Sequence, residues 1–157
     1  YLRTPLSVCQ PVGVADPNRI PNAQMTASSY YSSSYYPHYG RLNEVRGNGG
    51  WCPKTRQGPR TDYLQVDLGT VHSVCAVATQ GASNIDEHTT SYILRMSKDG
   101  VTWNTYKENN AEKVLQGNTD RNTIVKHALS TAVKARFVRF YYVSYHSWPA
   151  VRVEIYV

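Results

Sequence analysis

Residues 63–80 read YLQVDLGTVHSVCAVATQ, and this stretch decides the fold class. Apolar and polar side chains alternate with the two-residue period of an extended chain. Tyr63 to Leu68 is expected as one strand and Val71 to Gln80 as a second, interrupted by Gly69-Thr70. In the second, Val71, Ser73, Cys75 and Val77 alternate with His72, Val74, Ala76 and Ala78, and the small size of these side chains predicts burial on both faces.

The same period continues toward the C-terminus. Tyr92, Leu94 and Met96 share one face of a strand that stops at Lys98-Asp99-Gly100. Val101, Trp103 and Thr105 then return as a hairpin, with a glycine available for positive φ. Phe137 to Val143 and Val151 to Val157 predict two late strands. In the last, Val151, Val153, Ile155 and Val157 share one face while Arg152, Glu154 and Tyr156 share the other. No segment carries helical periodicity, so short strands with turns between them imply an all-β sandwich or barrel.

Toward the N-terminus the pattern breaks. Pro, Gly, Ser, Asn and Tyr dominate the first 60 residues, and long irregular segments in a small domain are expected to bind something or be stapled down. At 157 residues and 41% hydrophobic content the chain is sized for one domain. No run approaches the roughly 18 apolar residues of a membrane span, and YLRTPLSVCQ lacks the pattern of a signal peptide. The expectation is a soluble, mature piece of a larger protein, with a linker over residues 1–8 and the domain over 9–157.

Thirteen tyrosines against two phenylalanines predict polar-tipped rings at surfaces that meet ligands as well as at half-exposed strand positions. The net charge of +6 favours an anionic partner, yet the basic residues are scattered without a run or helical stripe, so nucleic acid is not expected. The Ser, His and Asp residues form no nucleophile, zinc-protease or phosphate-cradling motif, so the chain is read as non-catalytic and without a cofactor. No Cys or His pair has zinc-ligand spacing, and no Asn-x-Ser/Thr acceptor occurs.

Several blocks together resemble the discoidin domain, also called the coagulation factor V/VIII type C domain. They are IPNAQMTASS at residues 20–29, GRLN at 40–43, WCPK at 51–54, LQVDLG at 64–69, ATQG at 78–81, SKDG at 97–100, GNTD at 117–120 and VRVE at 151–154. The resemblance runs from about Cys9 to Val157. It implies an eight-stranded antiparallel, jelly-roll-like β-sandwich or distorted barrel, galactose-binding-domain-like, with loop spikes at one end. Members act outside cells on phosphatidylserine membranes, collagen, peptide C-termini or carbohydrates, so the fold alone does not choose the ligand.

Members usually join a cysteine at the Cys9 position to one just after the final strand. No such cysteine precedes the end at Val157, so the resemblance places Cys9's partner beyond Val157. Cys52 and Cys75 remain. A Cys52–Cys75 bridge would anchor the second loop to the sandwich and stabilise it by roughly 3 kcal/mol, the alternative being two buried thiols.

In the family's layout the spikes are Ser29 to Gly40, about Arg46 to Asp62, and Gly81 to Thr90. The first offers Tyr30, Tyr31, Tyr35, Tyr36, His38 and Tyr39, rings suited to sugars or protein surfaces. In the family's layout Tyr31 falls where collagen-binding members carry a tryptophan and peptide-binding members a tyrosine, and Tyr31→Ala and Tyr35→Ala are both expected to weaken binding without loss of stability. The second offers Lys54, Arg56 and Arg60 between Pro53 and Pro59, either anion-binding forks or a solvated basic loop. The third offers Ile85, Asp86, Glu87 and His88, an aliphatic anchor beside acids that are either contacts or solvated turn residues. Tyr145-His146-Ser147-Trp148 flanks the same end, with Trp148 expected in the core.

The implied function is an extracellular adhesion module, secreted or in an ectodomain, that recognises a cell-surface or matrix glycan or protein. The alternative is attachment to anionic phosphatidylserine membranes. That device needs apolar spike tips and a basic rim, and only the rim is present here.

Overall fold

The computed structural model describes residues 8–157, so the linker expected over residues 1–8 lies, Val8 apart, outside the described residues. Among the described residues nine strands follow one another: β1 (Met25–Ala27), β2 (Tyr63–Gln80), β3 (His88–Ser97), β4 (Asn104–Thr105), β5 (Lys107–Glu108), β6 (Ala111–Glu112), β7 (Leu115–Gln116), β8 (Val125–His146) and β9 (Arg152–Tyr156). Only short 3-10 turns at Asn22–Gln24 and Pro37–Tyr39 are helical among the described residues.

Residues 63–80 form one bent strand where two were expected. Gly69 adopts φ +84°, a conformation that suits a residue without Cβ, and its N–H donates to Asp67 Oδ1 at 2.8 Å. The ladder with β8 stops at Asp67↔Phe137 and resumes at His72↔Ala135. Before the bend β2 lies between β1 and the end of β8, with Met25↔Val66 and Val66↔Val138. After it, β2 lies between β9 and the start of β8, with Val77↔Ile155 and Val77↔His127. Both long strands therefore serve both layers of an all-β sandwich, and the core forms between the layers. Leu64, Val66, Val74, Val77, Leu94, Val138, Val153 and Ile155 are fully buried there, each contributing about 1.5–3 kcal/mol of transfer free energy.

The disulfide differs from the expected one. Cys9 is bonded to Cys75, with Cα atoms 6.0 Å apart, and Cys52 is a buried free thiol. Backbone bonds from Gln10 N to Val157 O (2.9 Å) and Val12 N to Ile155 O (2.8 Å) lay the N-terminal segment along β9. Since β9 pairs with β2 at Ala76↔Tyr156, this segment brings Cys9 beside Cys75. Cys9 thus has its partner within the chain, and the expectation of one beyond Val157 is overturned. The bridge closes a separation of 66 residues, which by chain entropy stabilises the fold by about 4 kcal/mol. Thiol titration is expected to find one reactive cysteine in denaturant without reductant and none in the folded protein. Two or more in denaturant would refute the pairing.

The irregular segments are ordered by buried polar side chains, Arg152 and Glu154 on the second face of β9 and Arg41 just after the first loop. Glu154 accepts Val14 N (2.9 Å) and Ala15 N (3.2 Å), and Arg41 donates to Val14 O (2.7 Å) and Asn22 Oδ1 (2.8 Å). Arg152, only 1% exposed, donates from Nε to Gly81 O (2.7 Å) and from Nη1 to Glu44 O (2.9 Å). Its Nη2 reaches Arg121 O (2.8 Å) and Asn122 Oδ1 (2.9 Å). Burial lowers its pKa to about 10, so it stays charged at neutral pH, solvated by these oxygens.

Candidate ligand-binding site

Three loops meet at the end of the sandwich where β3 begins. The first is tied to the second by Trp51 Nε1 donating to Ser29 O (2.8 Å), Tyr31 N to Cys52 O (3.1 Å) and Ser29 Oγ to Asp62 Oδ1 (3.2 Å). The third is tied to the second by Ser83 N to Gly49 O (2.9 Å) and by Asn84 Nδ2 to Val45 O and Gly47 O, both 2.9 Å. These bonds hold the loops in place before any ligand arrives, which lowers the entropy lost on binding.

Between the loops lies a cleft of about 200 Å³ lined by Tyr31, Tyr35, Cys52, Ile85, Glu87 and Trp148. The Tyr31 ring, 54% exposed, meets Trp148 edge-on at 5.0 Å and Tyr35 at 5.7 Å. Glu87, 5% exposed, accepts the Tyr35 hydroxyl at 2.6 Å. Burial, and then this bond to the carboxylate, hold the phenol's proton more firmly than usual. Cys52 sits beneath, its thiol pKa raised by burial. Arg56 stacks over Trp148 at 4.8 Å and donates to Ser147 O at 3.3 Å, placing a guanidinium on the rim.

The expected site residues separate into groups. Tyr31, Tyr35, Ile85 and Glu87 line the cleft, and Arg56 stands at its edge. Lys54 is exposed in the second loop. Tyr36, His38 and Tyr39 are not brought to the cleft. They pack on one another, Tyr36 stacked on His38 at 5.3 Å and His38 edge-on to Tyr39 at 4.8 Å, and pack the first loop against Arg46. Arg60 is drawn aside into an ion pair with Glu112 at 3.2 Å. Asp86 is exposed and pairs with His146 at 3.0 Å. His88 belongs to β3 rather than to a loop, and it is buried with its ring stacked on His146 at 4.8 Å. Its pKa is lowered, first by burial and then by repulsion from His146.

Two expectations are corrected here. Tyr35 is not a freely removable loop ring, because it is buried and bonded to Glu87. Trp148 is half-buried and walls the cleft rather than filling the core. Ser147 at φ +65° turns the chain before it, a turn that alternation does not encode. Cys52 contributes the floor, a role hidden while it was assigned to a bridge. Among the described residues no group of three or more His, Cys, Asp or Glu could hold a metal ion.

Comparison with known proteins places this geometry in a family. A model of the F5/8 type C domain matches residues 24–155. Lactadherin of Bos taurus is 36% identical over 156 residues, covering 93% of this chain and 36% of lactadherin. Epithelial discoidin domain-containing receptor 1 of Homo sapiens is 40% identical over 126 residues, covering 78% of this chain and 14% of the receptor. The chain thus spans about a third of the length of the lactadherins it matches. Discoidin II of Dictyostelium discoideum superposes with a TM-score of 0.81 at 23% identity, over 93% of this chain and 58% of that one. The family 32 CBM of Clostridium perfringens NanJ, solved with galactose, superposes at 0.67 with 15% identity, over 96% of this chain and all of that one. The two structures share the sandwich. From the sequence match over most of its length, this chain belongs to the F5/8 type C, or discoidin, domain family.

Proposed function

We propose that this domain is an extracellular, non-catalytic recognition module that takes a group of a cell-surface or matrix glycan or protein into the loop-end cleft. One observation carries the reading: Tyr31 and Trp148 present rings above a recessed Glu87 carboxylate. Flat rings cover the C–H face of a sugar or an apolar side chain, and a carboxylate accepts from hydroxyl or ammonium groups. The family 32 CBM of the same fold holds galactose, and a second Clostridium perfringens module holds GalNAc-β-1,3-galactose. A disulfide between Cys9 and Cys75 supports an oxidising compartment. The Cys52 thiol and Tyr35 phenol both keep their protons at neutral pH, so neither supplies a nucleophile, in keeping with a binding role.

A glycan array run beside phosphatidylserine vesicles tests the proposal. The expected result is selective retention on the array or by a matrix protein, with weak, salt-sensitive pelleting with vesicles, because Asp86 and Glu87 oppose an anionic bilayer. Tight pelleting that survives high salt would transfer the site to membranes.

A further inference from the structure

A second groove lies far from the cleft. β3 carries 10 residues from His88 beside the third loop to Ser97, so its two ends stand about 30 Å apart. At the Ser97 end, β8 loses register with β2 between Val74↔Val133 and Ala76↔Ala128, and residues 129–132 bulge away from the ladder. Tyr106 pins the bulge, its hydroxyl accepting Ser130 N at 2.9 Å and donating to Glu108 Oε1 at 2.7 Å. Between the bulge and the β3–β4 turn are cavities of about 240 and 260 Å³ that share Met96, Asn104 and Val133, forming one groove with an apolar floor.

The chemistry of this groove is basic and hydroxylic. Lys98 and Lys134 line the first cavity and Lys107 the second, and among the described residues none of the three is in an ion pair. The one acid in the lining, Asp99, is engaged by its own turn, its Oδ1 accepting Val101 N and Thr102 N at 2.9 Å and Ser97 Oγ at 3.0 Å. The side chains of Thr102, Asn104 and Thr131 point no hydrogen bond at any described residue, so their donors and acceptors are open to a ligand. At the loop end, by contrast, Asp86 and Glu87 offset Lys54 and Arg56, so the +6 excess of the chain is not gathered there.

We infer that this groove is a second binding site, for a sulfated glycan chain, independent of the loop-end cleft. Lysine ammoniums meet sulfate as point charges, the threonines and asparagine meet ring hydroxyls, and the half-buried Val133 takes the sugar's apolar face. The only ring in the groove, Tyr106, is buried and hydrogen-bonded, so the groove lacks the stacking platform a nucleic acid strand uses. A flat bilayer does not enter a recessed channel.

The test is titration of the whole chain with a heparin-type sulfated hexasaccharide and with its desulfated counterpart. Binding is expected for the sulfated form alone. The Lys98→Ala/Lys107→Ala/Lys134→Ala variant, whose changes are all at exposed side chains, is expected to keep its melting temperature and lose affinity by about tenfold or more, with a shallower salt dependence. Tyr31→Ala/Arg56→Ala is expected to bind the hexasaccharide like wild type. Equal binding of the desulfated sugar, full affinity in the lysine variant, loss in the loop-end variant, or equally tight binding of a polyglutamate peptide would each overturn the inference.

Discussion

Replacing Arg152 by methionine is expected to destabilise the fold by about 3–5 kcal/mol, read as a lower urea midpoint with an unchanged slope. Methionine fills much of the volume, so the loss is electrostatic. The guanidinium, itself 1% exposed, satisfies Gly81 O, Glu44 O, Arg121 O and Asn122 Oδ1. Each acceptor left unpaired costs about 1–3 kcal/mol, offset where the loops part to admit water. Against a total stability of about 5–15 kcal/mol this is a large fraction. Arg152→Lys keeps the charge, but one ammonium cannot span acceptors on three segments, so an intermediate loss is expected. Because Gly81 opens the third loop, ligand binding should fall with stability. An unfolding free energy within about 0.5 kcal/mol of wild type would show that the network contributes little.

Glu87→Gln and Tyr31→Ala are expected to produce the largest losses of ligand binding with the fold intact. The glutamine amide oxygen can still accept the Tyr35 hydroxyl, so the loop keeps its tie while the cleft loses its charge. A ligand that donates to the carboxylate then forfeits a charge-assisted bond, about 1.5–3 kcal/mol, or roughly 10- to 100-fold in affinity. Tyr31 is held to Cys52 through its backbone N–H, so truncating its exposed ring leaves that anchor and removes contact area, for a loss of about tenfold. Tyr35→Ala should behave differently, losing about 3–5 kcal/mol of stability because it empties a buried position. Unchanged affinity in both Glu87→Gln and Tyr31→Ala, measured on whichever ligand the array identifies, would remove the cleft from the site.

Alternation along 63–80, the hairpin near Gly100 and the apolar face of Val151, Val153 and Ile155 were readable without coordinates, because the side-chain period of a strand is a local property. An all-β sandwich or barrel followed from that period, and the sandwich with three end loops was what the resemblance implied. The bend at Gly69 was visible as an interruption, but whether the chain stopped or turned there depended on β8 resuming its ladder at His72↔Ala135.

Pairings across long separations were beyond such reading. Cysteine count left open which thiols meet, and the choice of Cys75 for Cys9 rests on the N-terminal segment lying along β9. Glu87 and His88 read as polar loop residues, yet Glu87 is buried by Tyr35, 52 residues away, and His88 is stacked on His146 from β8. Arg152 and Glu154 alternated correctly, but the loop partners they hold lie 30 to 140 residues distant. A polar side chain's environment is set by whatever the fold brings over it, and that contact has no signature in its own stretch of sequence.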